Sequence, residues 1–135
     1  MKNIVTATIK FSFKGKNHEP SLTLDLNNYL RTSGIFPNLY PLIAKENDFD
    51  MYSYEYEMMQ VEEITYSDAQ GLVENFITDD KLDIDAFTAA YMEERTLEKL
   101  VLITERHMMI NDLSEHPELK QALLEAYQLG KQSGS

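Results

Sequence analysis

The first residues of the chain alternate between apolar and polar side chains with a period of two, a pattern that a strand can bury on one face and a helix cannot. One face carries Val5, Ala7, Ile9, Phe11 and Phe13. A second alternation, after turn-forming residues 15–18, places Leu22, Leu24 and Leu26 on one face. The sequence therefore predicts an antiparallel hairpin.

A second stretch with period two lies near the middle of the chain. Its apolar positions are Tyr52, Tyr54, Tyr56 and Met58, with Ser53, Glu55 and Glu57 between them. The same phase continues to Ile64 and Tyr66, so we expect a long strand that bends near residues 59–60. Tyrosine is a good strand former, and its ring buries well. We therefore predict that this tyrosine-rich segment is the third strand of the sheet.

Helical spacing replaces this alternation in the second half of the chain. Residues 67–70 match a capping box and predict a helix that begins at Ser67. Asp83 can cap a second helix, whose apolar side chains keep helical spacing for about seven turns, as far as Met108. A third helix has Pro117 in its first turn and ends before Gly130, a residue type favoured just beyond a helix C-terminus.

Strands first and helices last indicate the α+β class. We expect a small antiparallel sheet, formed by the N-terminal hairpin and the tyrosine-rich strand, packed on one face by about three C-terminal helices. Residues 1–130 form a single domain in this interpretation, and residues 131–135 form a disordered tail. The pattern over residues 27–48 is weak and favours only a short helix around residues 37–44.

Charge is unevenly distributed along the chain. The net charge is −11, and residues 46–98 hold sixteen acidic residues and two basic ones. Such a field repels phosphate backbones, so we expect no direct binding of nucleic acid. A protein partner with a basic surface is favoured. The simpler explanation is that acidic surfaces keep proteins soluble.

Composition also bears on the compartment in which the protein works. The chain has no cysteine, which fits a reducing environment. Its first residues lack the apolar stretch of a signal peptide, and no segment has the ~20 apolar residues of a membrane span. We therefore expect a cytoplasmic protein that does not bind a membrane.

No motif in the sequence specifies a reaction. Nucleophile elbows and glycine-rich phosphate loops are missing. The acidic run from Asp79 departs from an EF-hand loop at three key positions. A histidine- and carboxylate-containing group lacks the spacing that places metal ligands on one helical face: His107, Asp112, Glu115 and His116. We predict no catalytic residue, no metal and no cofactor.

Six residues are candidates for binding a ligand or a partner: Phe36, Tyr40, Tyr52, Tyr54, Tyr56 and His107. The three neighbouring tyrosines either form the core face under the helices or line a pocket between sheet and helices. In the second case, His18 or His107 supplies the polar group. Phe36 and Tyr40 lie in an irregular apolar segment that either anchors a partner or closes one end of the core.

These features leave three classes of function open. The favoured class is a non-catalytic protein-interaction or regulatory domain with an acidic surface. The alternatives are a small enzyme or ligand-binding protein with a pocket between sheet and helices, and an acidic mimic of DNA or inhibitor of a basic protein. A homodimer is a further option, because residues 108–110 leave apolar surface to cover.

Overall fold

The computed structural model describes residues 2–133 of the chain. Over these residues the architecture is α+β, as predicted, with five α-helices, a three-stranded antiparallel sheet and two short two-stranded ribbons. The strands are β1 Ile4–Ile9, β2 Phe11–Phe13, β3 Lys16–His18, β4 Ser21–Asp25, β5 Ile64–Gln70, β6 Ile77–Thr78 and β7 Lys81–Leu82. The α-helices are α1 Asn27–Ser33, α2 Leu39–Glu46, α3 Tyr54–Gln60, α4 Ile84–Met108 and α5 Pro117–Ser133. Short 3₁₀ turns lie at Leu72–Phe76 and Leu113–Glu115.

The chain divides into two compact units, the first ending at Ala89 and the second beginning at Ala90. This boundary falls inside α4, so the helix contributes residues to both units. The single domain over residues 1–130 remains a prediction.

The predicted N-terminal hairpin is confirmed. β1 is the central strand of the order β4-β1-β5, and it pairs antiparallel with both neighbours. Val5, Ala7 and Ile9 are fully buried, as their alternation indicated. The turn is shorter than predicted, because Lys14 and Gly15 adopt positive φ angles and residues 16–18 form β3 against β2.

The third strand of the sheet is β5, so the predicted strand is confirmed only in its last part, Ile64 to Tyr66, and is wrong for the tyrosine-rich segment before it. That segment forms α3. Ser53 caps the helix by accepting a hydrogen bond from the Tyr56 backbone N–H at 3.2 Å. Tyr56 and Met59, three residues apart, are buried on one side, so helical spacing matches burial better than alternation does.

The helix predicted from Ser67 is also wrong. Residues 67–70 complete β5, and Thr6, Ala7 and Thr8 of β1 pair with Ser67, Tyr66 and Thr65. Gly71, with φ +101°, ends the strand, and only the 3₁₀ turn follows. In β5, backbone groups of these residues form hydrogen bonds with β1, so a capping box is not needed to satisfy them.

Residues 27–48 contain two helices, α1 and α2, and the second confirms the predicted short helix. Pro41 lies in the first turn of α2, where its missing N–H would have had no helical partner. α2 contacts β1 and β4, and α3 contacts β2 and α2. The predicted covering of the sheet by three C-terminal helices is not confirmed.

Two of the predicted helices are confirmed by α4 and α5. Asp83 caps α4 by accepting a hydrogen bond from the Ala86 backbone N–H at 3.1 Å, and the positive φ of Met109 ends the helix. α5 runs through Gly130, so the predicted end there is wrong. Residues 131–133 of the predicted tail are helical, and residues 134–135 lie outside the described residues.

None of the helices that the structure describes combines the length and the apolar character needed to cross a membrane.

Candidate functional site

Several exposed large apolar side chains of the first unit lie in or next to α3. Tyr54, Met58 and Val61 are spaced by four and three residues, which places them on one side of the helix. Tyr54 is 74% exposed and Val61 is 72% exposed. We call these three residues the α3 face. Met51 and the 97% exposed Tyr52 extend the apolar surface just before the helix.

Helical geometry separates the three tyrosines that alternation had grouped together. Tyr56 is buried and only 7% exposed, whereas Tyr52 and Tyr54 point to solvent. The expectation that all three share a core face or a pocket is therefore wrong. One tyrosine anchors α3 in the core, and the other two are surface residues.

Carboxylates border the α3 face. Glu55 and Glu57 lie in the first turn of the helix, where negative charge interacts favourably with the helix dipole. Glu62 directly follows Val61 and is exposed. Residues 46–63 contain seven acidic residues and no Lys, Arg or His. The apolar side chains therefore lie in a strongly negative field.

Tyr40 fixes the C-terminal end of this surface. Its hydroxyl donates a hydrogen bond to the Glu62 backbone carbonyl at 2.6 Å, so α2 holds the chain where it leaves α3. Burial and the nearby Glu63 and Glu62 carboxylates raise the pKa of Tyr40. The predicted binding residue Tyr40 thus positions the surface and is half-buried itself.

Phe36 and His107 do not join the α3 face. Phe36 is half-buried, and its ring meets Phe87 edge to face at a centroid distance of 6.5 Å, which is the contact expected of a residue that closes one end of the core. His107 is exposed in the last turn of α4, where positive charge complements the helix dipole.

A groove of about 580 Å³ adjoins the α3 face and shares Met58 with it. The remaining lining residues come from the β2–β3 ribbon and its flanks, together with Glu62: Lys10, Phe11, Ser12, Asn17, His18 and Glu19. Sequence reasoning named His18 as a pocket residue but missed the others. The outward positions of the first alternation, which include Lys10 and Ser12, were the available signal.

The His18 ring packs against aromatic side chains. It stacks on Phe11 at a centroid distance of 4.9 Å and meets Phe49 edge to face at 5.6 Å. Among the described residues, no hydrogen bond links the His18 ring to a hydroxyl or a carboxylate. The nearby polar groups pair with one another, since Lys10 lies 3.7 Å from Glu19 and Ser12 donates to Asn17 at 2.6 Å. The polar groups of the groove therefore either pair with one another or, as with His18, lie against aromatic rings.

The groups considered as metal ligands do not assemble. Within residues 2–133, no three His, Asp or Glu side chains come close enough together to hold a metal ion. Asp112 instead caps the 3₁₀ turn, and hydrogen bonds from the Ser114 hydroxyl and N–H lower its pKa.

Compared with known proteins, the chain matches no family model, no curated protein sequence and no solved structure.

Proposed function

We propose that this protein is a non-catalytic protein-interaction domain that binds a basic, amphipathic partner through the α3 face. The observation that supports this most strongly is a row of exposed Tyr, Met and Val side chains bordered by carboxylates. Single exposed apolar residues are normal on soluble domains, whereas a contiguous row is characteristic of a binding surface.

The chemistry of the row suits a protein partner. Tyrosine and methionine are enriched at protein interfaces. Tyrosine combines a large apolar ring with a hydroxyl, and the flexible methionine side chain fits surfaces of different shape. Tyr54 offers a ring and a hydroxyl, and Met58 offers a flexible thioether between the helix and the groove.

The negative charge around the α3 face favours a partner with positive charge. Glu55, Glu57 and Glu62 attract Lys or Arg side chains and repel acidic ones. Because these carboxylates are solvent-accessible, salt screens their attraction within about 10 Å at 0.1 M ionic strength. Binding therefore weakens as salt is added.

The helix that carries the row is held in place before any partner arrives. Tyr56 and Met59 are buried beneath it, Ser53 caps its N-terminus, and Tyr40 holds its C-terminal end. A surface that is already ordered loses little conformational entropy on binding.

The adjoining groove favours a second candidate, a small-ligand-binding protein. Its volume of about 580 Å³ lies within the range of natural ligand sites, and the His18 ring, stacked on Phe11, is part of its lining. Native mass spectrometry of the protein purified from its own cells tests this candidate. A bound small molecule that is lost in His18→Ala supports it, and an unliganded mass contradicts it.

The proposal includes three further expectations from the sequence. The protein acts in the cytoplasm, it does not bind nucleic acid directly, and inhibition of a basic protein is the narrowest form of the proposed interaction. The negative field around α3 supports the last two.

Fluorescence anisotropy with two synthetic amphipathic helices tests the proposed function. One is built from Leu and Lys, and the other from Leu and Glu. We expect saturable binding of the Leu/Lys helix that weakens with salt, and no binding of the Leu/Glu helix. Tyr54→Ser/Val61→Ser should weaken the affinity for the Leu/Lys helix about tenfold or more, because it removes two central apolar contacts.

A matched control separates the α3 face from general attraction to an acidic protein. Ile35→Ser/Met109→Ser removes two other exposed apolar side chains and should leave the affinity unchanged. Equal binding of the Leu/Lys helix to wild type, the Tyr54/Val61 variant and the control would contradict the proposal.

A further inference from the structure

We infer that the partner of the α3 face is the exposed basic side of α4 in a second copy of this chain. The inference rests on the proposed function and specifies its partner. It follows from two surfaces of the same molecule that are opposite in charge and alike in apolar character.

The exposed side of α4 is basic and apolar. Met92, Lys99 and Arg106 are spaced by seven residues, or two turns, so they follow one line along the helix. Leu102, 62% exposed, and Ile103, 51% exposed, lie between Lys99 and Arg106 at spacings of three and four residues. We call these five residues the α4 face.

The acidic residues of the same helix segment lie elsewhere on its circumference. At 100° per residue, Glu98 and Glu105 fall to one side of Leu102, whereas Lys99 and Arg106 fall to the other, with Ile103 beyond them. Glu93 lies about half a turn away from Leu102. Between residues 98 and 106, Lys99 and Arg106 therefore lie about 100° around the helix from Glu98 and Glu105.

Lys99 and Arg106 supply the two positive charges of the α4 face. Among the side chains that the structure describes, neither Lys99 nor Arg106 forms an ion pair. The two residues lie roughly 10 Å apart along the axis. Glu55 in α3 and Glu62 just beyond the helix are also seven residues apart, one on either side of Met58.

Docking the α3 face on the α4 face buries the apolar side chains of both and brings their opposite charges together. Leu102 and Ile103 cover Tyr54 and Val61, while Lys99 and Arg106 approach the carboxylates around them. Two copies that exchange these contacts reciprocally about a two-fold axis form the interface twice, and a non-reciprocal exchange extends into a chain of copies. Either arrangement increases the average mass in solution.

Sedimentation velocity over a concentration series in low and high salt tests the inference. The wild-type sedimentation coefficient should rise with protein concentration, and salt should reduce the rise. Lys99→Glu/Arg106→Glu makes the α4 face acidic, and Glu57→Lys/Glu62→Lys makes the border of the α3 face basic. Each variant alone should remain monomeric, because its two faces now repel.

An equimolar mixture of the two variants supplies the decisive result. Each native face then meets a native partner face, and each reversed face meets a reversed one, so the mixture should regain association. Controls with the same net charges, Lys16→Glu/Lys131→Glu and Glu74→Lys/Glu125→Lys, should associate like wild type. All four variants change exposed side chains, and circular dichroism checks that each remains folded.

Three results would overturn the inference: a wild-type chain that stays monomeric up to ~1 mM in low salt, variants that associate like wild type, or a mixture that stays monomeric. The Leu/Lys helix distinguishes this failure from failure of the proposed function. If the chain is monomeric but binds the Leu/Lys helix through Tyr54 and Val61, only the inference that a second copy is the partner is excluded. If the monomeric chain does not bind that helix, the proposed function is excluded as well.

Discussion

A single buried amide, that of Asn3, joins three parts of the first unit. Its Nδ2 donates to Asn27 Oδ1 at 2.8 Å, and its Oδ1 accepts from the Val73 backbone N–H at 3.0 Å. Its backbone carbonyl also accepts from the Leu26 N–H at 2.8 Å. Asn3 therefore ties the start of β1 to the start of α1 and to the 3₁₀ turn after β5.

Asn3→Leu should destabilise the protein by about 2–4 kcal/mol, because it leaves the buried Val73 N–H without its acceptor and disturbs the packing around it. Urea unfolding followed by circular dichroism measures the change. The exposed Asn75→Ala serves as control and should stay within about 0.5 kcal/mol of wild type. A similarly small effect for Asn3→Leu would show that the amide is not needed.

Gly71 occupies a backbone conformation that is essentially restricted to glycine, with φ +101° and ψ −159°. A Cβ at this position would lie 1.8 Å from the Lys2 carbonyl oxygen. Gly71→Ala should therefore lower the free energy of unfolding by ~3 kcal/mol or more, because the backbone must shift away from the new Cβ and also adopt a strained conformation. Gly130→Ala, inside α5 with open space around it, should stabilise slightly in the same unfolding assay. Equal effects of the two substitutions would contradict this account of Gly71.

Tyr66 makes stability depend on alkaline pH. Burial, together with the nearby Tyr40, raises the pKa of Tyr66 from its ordinary value of 10.0 to about 12. The folded state therefore retains a proton that the unfolded state releases above pH 10, so the contribution of Tyr66 is complete below pH 10 and is lost as pH rises towards 12. Urea unfolding between pH 9 and 12 should show a shallower decline for Tyr66→Phe than for wild type. Parallel declines would mean that Tyr66 titrates normally.

At the scale of elements, the hairpin could be predicted because its signal is local. The alternation from Val5 to Ile9 coincides with full burial of every second residue, and glycine marks the turn. The long helix α4 was equally accessible, because apolar spacing and the Asp83 cap indicate the same element.

The strand and helix around residues 52–78 were exchanged for a physical reason. Tyr52, Tyr54 and Tyr56 fit alternation, but the row Tyr54, Met58 and Val61 fits a helix equally well, and a short segment cannot discriminate between the two periods. Whether this segment is a helix or a strand depends on two tertiary features. Tyr56 and Met59 pack in the core, and β1 pairs along its edge with residues 65–67. The β1–β5 pairs connect residues about sixty positions apart and therefore leave no local signal in the sequence.

A pair of tyrosine substitutions distinguishes helix from strand at α3. Tyr56→Ala should destabilise the protein by about 3 kcal/mol or more, because it empties a buried site. Tyr54→Ala should change stability by less than about 0.5 kcal/mol, because that ring is exposed. Thermal or urea unfolding of both variants gives the comparison. A strand would bury both rings and make the two losses similar.

At the scale of the molecule, the exposed apolar α3 face lies within the most acidic part of the chain, which composition alone does not reveal. Residues 1–89 hold fifteen acidic and seven basic residues, and residues 90–135 hold eight and five. The acidic segment can be read from the sequence, and it is the basis on which a basic partner was predicted. The exposure of the α3 face was not, because it depends on which side of a misassigned segment is buried.

The central claim is that the α3 face is the binding surface for a basic amphipathic partner. Titration of ¹⁵N-labelled protein with the Leu/Lys helix, followed by amide chemical shifts, tests it most directly. We predict that the largest shifts fall on residues 51–62 and disappear in the Tyr54→Ser/Val61→Ser variant. Shifts spread evenly over the acidic surface, or concentrated away from α3, would contradict the account.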